Sequence, residues 1–260
     1  MTIDDYRRYT SQYVKGAKKI SIRSTEPVVE ARSLTLKIQP SYGNYNLFFS
    51  QNGRLIKSVH PENFDHKIEY AYNPKGELIM ALQTRIGNGE IVEYSEFDYD
   101  DKGRVRMESC RIYMADPEWV AREENVFSYA GNTQKVIMSS DFESDGNIVI
   151  FITYDEHARA IEERALKNGD EIIWLYKYRY GNNQSVIREI YVGGKSAPEG
   201  LDEWTYTENG LVSGCRSQLK DTIADLQYIY TFDNTGRWIS RVTAENGVPQ
   251  YYCERVIEYY

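Results

Sequence analysis

From about residue 45 to the C-terminus, apolar and polar positions alternate with period two. Ile68, Tyr70 and Tyr72 fall on one face, Glu69 and Ala71 on the other. Trp174, Tyr176, Tyr178 and Tyr180 oppose Leu175, Lys177 and Arg179; Leu226, Tyr228, Tyr230 and Phe232 oppose Gln227, Ile229 and Thr231. This alternation predicts half-buried antiparallel strands. Many of the strands end on an aromatic anchor: Phe49, Tyr72, Tyr99, Tyr129, Tyr154, Tyr180, Tyr206, Phe232 and Tyr259. By subtraction, successive anchors lie 23 to 30 residues apart, which marks an internal repeat.

Turn formers follow the anchors. Ser50-Gln51-Asn52-Gly53, Asn73-Pro74-Lys75-Gly76, Asp100-Asp101-Lys102-Gly103, Thr207-Glu208-Asn209-Gly210 and Asp233-Asn234-Thr235-Gly236 share one frame. Asp and Asn bond their own backbone, and Gly adopts positive φ without a Cβ clash. Ala130-Gly131-Asn132-Thr133 and Gly181-Asn182-Asn183-Gln184 put Gly first. Asp155-Glu156-His157-Ala158 has no Gly, so its turn is expected to close differently. A second strand begins after each turn, as at Leu78-Ile79-Met80 and Trp238-Ile239, and a second turn closes the unit at Asn88-Gly89, Asp145-Gly146, Asn168-Gly169 and Asn246-Gly247.

On these residues the chain resembles the YD-repeat (Rhs-type) family. Tyr99-Asp100-x-x-Gly103-Arg104-Val105 and Phe232-Asp233-x-x-Gly236-Arg237-Trp238 match its signature, and the resemblance covers roughly residues 45–260. It implies β-hairpin strips that coil into shells. Long members encapsulate toxin domains; this chain is far shorter than such a cocoon.

The predicted fold is all-β: an antiparallel meander of about eight hairpins, or about 16 strands, spanning roughly 77 Å at ~4.8 Å per strand. An aromatic face of that width cannot stay wet, so the ribbon must curl into a barrel-like or spiral sheet. A four-bladed propeller is the alternative. Residues 1–44 form a separate leading segment and 45–260 one repeat domain. In the leading segment, residues 2–15 read as a helix with Tyr6, Tyr13 and Val14 on one side, and Ile20–Arg23 and Ser33–Ile38 read as strands. The Ala115–Glu124 joint is expected to carry a helical turn. The anchors from Tyr72 to Phe232 are expected to line one inner face, each beside the residue two before it.

Net charge is −8, with 39 Asp+Glu against 31 Lys+Arg. That argues against nucleic acid as a partner and fits either plain solubility or a basic protein partner. The N-terminus is acidic and lacks the apolar stretch of a signal peptide. The longest apolar run, Ile148–Ile152, is too short for a membrane helix, so no membrane span is expected. Cys110, Cys215 and Cys253 are odd in number and lack metal spacing, which favours reduced thiols in the cytoplasm, export with a removed signal being the alternative.

Recognisable chemistry is sparse. His60 and His66 flank Asp65, but their spacing matches no standard metal site. His157 reads as a turn residue. Asp141-x-Glu143-x-Asp145-Gly146 copies half a calcium loop, with Ile152 where the bidentate carboxylate belongs. Gly194-Lys195-Ser196 lacks the leading Gly of a phosphate loop, having Glu189 in its place. No cofactor is implied. What stands out is a break in the outward pattern. That face is polar at Glu69, Glu96, Asp98, Ser128, Lys177, Arg179, Glu203 and Thr205, but apolar at Val126, Val149, Phe151 and Leu175. Either the chain covers this stretch itself, with the Ala115–Glu124 joint, or it is a surface for a partner or for self-association. The candidate binding residues are therefore Val149, Phe151 and Leu175, ringed by Lys177, Arg179, Glu143 and Asp145. Three functions follow: a non-catalytic protein-binding module, including an immunity-type protein that sequesters a basic toxin; a carbohydrate-binding or cell-surface protein; and an acid/base hydrolase.

Overall fold

The computed structural model describes residues 15–25, 28–30, 33–35, 44–60, 65–113, 120–141, 147–181, 185–220 and 222–260. Twenty strands and no helix occur among them. In chain order they are β1 (Ala17–Thr25), β2 (Val28–Glu30), β3 (Ser33–Thr35), β4 (Tyr45–Phe49), β5 (Leu55–His60), β6 (His66–Tyr72), β7 (Leu78–Arg85), β8 (Ile91–Tyr99), β9 (Val105–Tyr113) and β10 (Val120–Ala130). There follow β11 (Thr133–Ser140), β12 (Ile148–Tyr154), β13 (Ala160–Lys167), β14 (Glu171–Tyr180), β15 (Ser185–Val192), β16 (Gly200–Tyr206), β17 (Val212–Leu219), β18 (Thr222–Phe232), β19 (Trp238–Glu245) and β20 (Val248–Tyr259).

Eighteen strands form one sheet, each next to its neighbours in sequence from β4 to β20. Strand β1 pairs antiparallel with both β20 and β4, so Ile20 stands opposite Ile257 on one side and Leu47 on the other. The pairing order thereby closes on itself, the arrangement that removes free edges from a sheet. The 18 strands correct the expected 16. The counting missed two strands: β20, the ninth anchor strand, which has no second strand after it, and β1, which lies in the leading segment and joins the repeat sheet by its backbone rather than by a repeat signature. One continuous sheet also displaces the propeller alternative, which needs separate four-stranded blades. Strands β2 and β3 form a small sheet of their own. The expected helix over residues 2–15 lies outside the described residues except for Lys15, which is in a turn. Residues 120–124, expected near a helical turn, are instead the start of β10.

Two compact units divide the chain. The first comprises Met1–Arg122, Tyr230–Val242 and Gln250–Tyr260. Its core is well sealed: Ile20, Leu47, Phe49, Leu55, Ile68, Tyr70, Ala81 and Phe97 are buried. Ser58, fully buried, shares a 3.1 Å hydrogen bond with the Tyr70 hydroxyl, which satisfies both groups away from water. The second unit comprises Glu123–Ile229 and Thr243–Pro249. It seals less deeply. Val136 and Ala165 are buried, but every residue of β12 is half-buried.

The repeat's turn has one physical plan. In Asp100–Gly103, the Gly103 amide donates to the Asp100 carbonyl at 3.0 Å and the Asp100 amide to the Arg104 carbonyl at 2.9 Å. Gly103 takes φ +73, and the ladder slips by one residue between Asp98 and Tyr99. This is a three-residue hairpin loop ending in a glycine bulge. The first turn residue caps the loop. Asp100 Oδ1 accepts the amides of Lys102 (3.0 Å) and Arg104 (2.8 Å), while Arg104 Nε donates to Oδ2 at 2.8 Å. Asp155 and Asp233 accept the amide four residues on in the same way, as do Asn73, Thr207 and Ser50 with their own side chains. The backbone amide of Arg104, followed by its guanidinium, holds the Asp100 carboxyl below its usual pKa. The arginine then reaches the next repeat. Arg54 lies 5.6 Å over the Tyr72 ring, Arg159 4.4 Å over Tyr180, and Arg237 5.1 Å over Tyr259. The hydroxyl of Tyr180 donates to the Ala160 carbonyl at 2.7 Å, and that of Tyr72 to the Leu55 carbonyl. In the fullest copies the tyrosine, the acid, the glycine and the arginine each make a different contact, and Asn, Ser or Thr can replace the acid as cap.

The glycine-free copy closes identically, contrary to the sequence expectation. The Ala158 amide donates to the Asp155 carbonyl at 3.1 Å and Ala158 itself sits at φ +58. The cap from Asp155 holds an alanine in a conformation that costs roughly 1–2 kcal/mol for a residue with a Cβ. Glycine would relieve that cost but adds freedom to the unfolded chain. Ala158→Gly is therefore expected to raise stability by about 0.5–1 kcal/mol in urea unfolding. An unchanged or lower midpoint would show that the turn is not strained.

Six of the seven anchors expected on the inner face are half-buried, and Tyr70 and Phe97, two residues before Tyr72 and Tyr99, are buried. Phe232 is the correction: it is 39% exposed. Tyr230 makes the edge-on contact with Trp238 at 6.1 Å, and Phe232, at the strand's end, packs on Tyr230 at 6.2 Å.

Candidate functional site

The outward rows of unit 2 can be read across the strands, because directly opposed residues point to the same face. One row runs Val126, Ile137, Val149, Leu166. The next runs Ser128, Lys135, Phe151, Arg164, Leu175, Tyr191. A third sets Lys177 between Glu162 and Glu189. Register thus brings Val149, Phe151, Leu175 and Lys177 onto one face. Arg179 lies two residues beyond Lys177 and pairs with Glu189 at 2.7 Å. Glu143 and Asp145, the acidic part of the predicted ring, lie outside the described residues. Val126 is 38% exposed, and Val149, Phe151 and Leu175 are half-buried.

Two residues that sequence reasoning did not select complete this face. Lys135 Nζ lies 5.8 Å and the Arg164 guanidinium 5.2 Å from the centre of the Phe151 ring, one from each neighbouring strand. Lys177 lies 5.2 Å over the Tyr191 ring, whose hydroxyl donates to Glu189 at 2.8 Å. That hydrogen bond, followed by burial, raises the Tyr191 pKa. Arg164 Nε is buried and finds no hydrogen-bond acceptor among the described residues. The face is a strip of aromatic rings flanked by cations, bordered by an aliphatic row.

The opposite face of the same unit holds a different cluster. Arg188 Nε donates to Asp202 Oδ2 at 3.0 Å, and its guanidinium lies between Tyr176 (4.7 Å) and Trp204 (5.0 Å). Trp174 stacks on Tyr176 at 4.5 Å. Tyr178 donates to Glu163 at 3.1 Å; burial first, then the Glu163 charge, pushes its pKa up to about 12. Burial alone would lower the Arg188 pKa, but the bond to Asp202 outweighs it and the net shift is upward. These groups satisfy one another, which is the signature of a structural network.

In unit 1, His60 and His66 are opposite each other at the end of the β5–β6 hairpin, with rings stacked 4.8 Å apart at 21°. Tyr45 packs against His60 at 5.6 Å with the rings tilted by 30°. A metal ion lies in the plane of the imidazole that binds it, about 2.0–2.1 Å from nitrogen. Two near-parallel rings 4.8 Å apart cannot both meet that condition. Burial, then the charge of His66, lowers the His60 pKa to about 4. The unfolded chain takes up this proton near the ordinary value of 6.5, and the folded chain only near 4. Stability is therefore full above the unfolded value and lost as pH falls from 6.5 towards 4. With screening of this partly exposed ring allowed for, the loss is about 1–2 kcal/mol. Melting temperatures across this range should fall, and His60→Gln should flatten the fall. An equal slope in the variant would assign the pH dependence elsewhere.

Among the described residues, no three His, Cys, Asp or Glu side chains gather as a metal site. None of the three cysteines is in a disulfide.

No family model matches the chain, and no curated protein matches it. Among solved structures it is similar to a porin-like protein from Bacteroides uniformis, with 11% identity, a TM-score of 0.49, and coverage of 95% of this chain and 98% of that one. A porin-like protein from Bacteroides vulgatus gives 10% identity, a TM-score of 0.41 and coverage of 94% and 98%. The TcdB2-TccC3-Cdc42 structure gives 13% identity and a TM-score of 0.33; the match covers 86% of this chain but 14% of that one. At these identities and scores the likenesses carry no information on function.

Proposed function

We infer that the chain is a non-catalytic protein-binding module of the YD-repeat type, and that it binds through the outward face of β10–β14. The observation that carries this reading is the aliphatic row Val126, Ile137, Val149, Leu166, continuous across four neighbouring strands beside Phe151. Apolar groups left on a water-facing sheet mark interaction surfaces. Capture of a toxin by an immunity-type protein is a narrower form of the same reading. The shared turn chemistry, with its Asp cap and its Arg over the next anchor, supports the family resemblance.

The outward rows also bear on the membrane. They carry cross-strand ion pairs: Lys19–Glu258 at 2.9 Å, Arg111–Glu96 at 3.9 Å, Arg106–Asp98, and Arg179–Glu189. A charge facing lipid near the bilayer midplane costs about 2–4 kcal/mol. Several such charges favour a water-facing sheet. The cytoplasm is the proposed compartment, with export the alternative.

A carbohydrate-binding reading draws on the half-buried Trp174 and Tyr176. Their neighbourhood favours it less, since Tyr176 and Trp204 already flank Arg188. A hydrolase would need a free carboxylate, and Asp202 is buried and held by Arg188.

The test is a photo-reactive phenylalanine analogue at position 151, with one at exposed Ile79 of unit 1 as control. Irradiation in native-host cells should give a discrete protein adduct from position 151 and none from 79. Phe151→Asp should leave folding intact and abolish recovery of that same adduct partner by the purified chain. Equal labelling at both positions, or none at 151, would remove the reading. Unfolding of Phe151→Asp would instead make the ring a covered core residue.

A further inference from the structure

The predicted partner of an acidic chain is basic, but the row through Phe151 is locally cationic, with Lys135 and Arg164 beside the ring and no acid on that row. Lys135, Arg164 and Lys177 contact the rings of Phe151 and Tyr191, and none of the three forms an ion pair with a carboxylate among the described residues. Elsewhere on the outward faces, cations pair across strands, as Arg106 does with Asp98 and Arg179 with Glu189. Arg164 moreover keeps a buried Nε without an acceptor. Burying a charged donor without its hydrogen bond is costly, and a carboxylate pairing with the remaining nitrogens of the guanidinium would offset part of that cost.

We propose that this strip docks an acidic, extended segment of a partner protein, with carboxylates at Lys135 and Arg164 and an apolar residue over Phe151. The proposal rests on the reading of this face as an interface and names the partner's chemistry. Geometry sets the spacing. Lys135 and Arg164 stand on strands two apart, about 9.6 Å from one to the other at ~4.8 Å per strand. A polyproline-type segment repeats its facing every three residues, about 9.3 Å on. An acid-x-x-acid pattern therefore meets both cations, and the residues between meet the ring. Nucleic acid is the weaker fit. Its regular phosphates use cations in larger number, and they have no use for the aliphatic row beside the strip.

The experiment measures fluorescence anisotropy of the full chain with labelled peptides carrying Glu at every third position and Leu or Phe between. The control peptides carry Lys in place of Glu, and an oligothymidylate serves as the second polyanion. The acidic peptide should bind, and binding should weaken with salt. The pair Lys135→Gln and Arg164→Gln should weaken it about tenfold or more, while Arg164→Lys retains it. Melting curves check that the variants fold; should the pair fail, the exposed Lys177→Gln takes its place with a smaller loss. Equal binding of the Lys peptide, stronger binding of oligothymidylate, or unchanged binding by folded Gln variants would each overturn the proposal. If no peptide binds while position 151 still gives its adduct, the acidic partner is wrong and the interface stands. If neither occurs, both fall.

Discussion

Phe49→Ala is expected to destabilise unit 1 by about 4 kcal/mol, since a large buried ring is lost and a cavity left in its place. The ring ends β4 and is 1% exposed, between Leu47 on its own strand and Leu55 across the hairpin. Removing it deletes most of a phenyl group's transfer energy. The surrounding interior is closely packed and cannot collapse freely, because β1 and β5 pin the backbone on both sides of β4. The Tyr260 hydroxyl donates to the Phe49 carbonyl, a bond the substitution leaves in place, so the loss isolates the ring. The matched control is Phe232→Ala. It is the same chemistry at another anchor of the repeat, but 39% exposed, and should cost about 1 kcal/mol or less. Urea unfolding of both variants is the measurement. Similar losses at the two anchors would mean that the repeat, not burial, determines what an anchor contributes.

The alternation and the turn chemistry were sufficient to read an antiparallel meander, because each is a local property. The Asn, Asp, Ser or Thr that opens a turn bonds an amide four residues on, within one short segment. Ala158 shows the limit of that reasoning. Its sequence lacks the glycine that positive φ favours, yet the Asp155 cap and the two flanking strands hold the same turn. Strand β1 was legible as a strand but not as a member of the repeat sheet. Its partners are Tyr45–Phe48 and residues beyond 250, and sequence separation of that size leaves no local trace.

The candidate face was half legible. Phe151 and Val149 announced themselves by breaking the polar parity of their own strand. Lys135 and Arg164 did not, since a cation on an outward position is what a solvated strand carries. Their relation to Phe151 depends on register, and each bulge changes register by one residue. Between Ala165 and Leu166 such a slip carries Arg164, rather than a neighbour, onto the row of Leu175. The same applies to Arg188 and Asp202, which are ordinary polar residues on their own strands and meet only when β15 pairs with β16.

Asp202→Ala is expected to cost about 3 kcal/mol, for a reason unlike that of Phe49. Asp202 is 4% exposed and stands directly across from Arg188. Its loss leaves a guanidinium held between Tyr176 and Trp204 with no carboxylate to answer it. Breaking a buried pair from one side costs more than the pair contributes, because the surviving charge stays out of water. Arg188 keeps some solvent contact, which places the figure at the lower end of the usual range of about 3–5 kcal/mol. Asp202→Asn should cost less, since the amide oxygen still accepts the Nε proton. The double variant Asp202→Ala with Arg188→Met should recover much of the loss, because it removes the stranded charge and keeps an unbranched chain between the two rings. A double-mutant cycle in urea therefore separates two accounts. Strong positive coupling fits a structural ion pair. Full additivity, with each single change costing under about 1 kcal/mol, would show that the pair stabilises nothing and that Arg188 and Asp202 are free to serve a ligand.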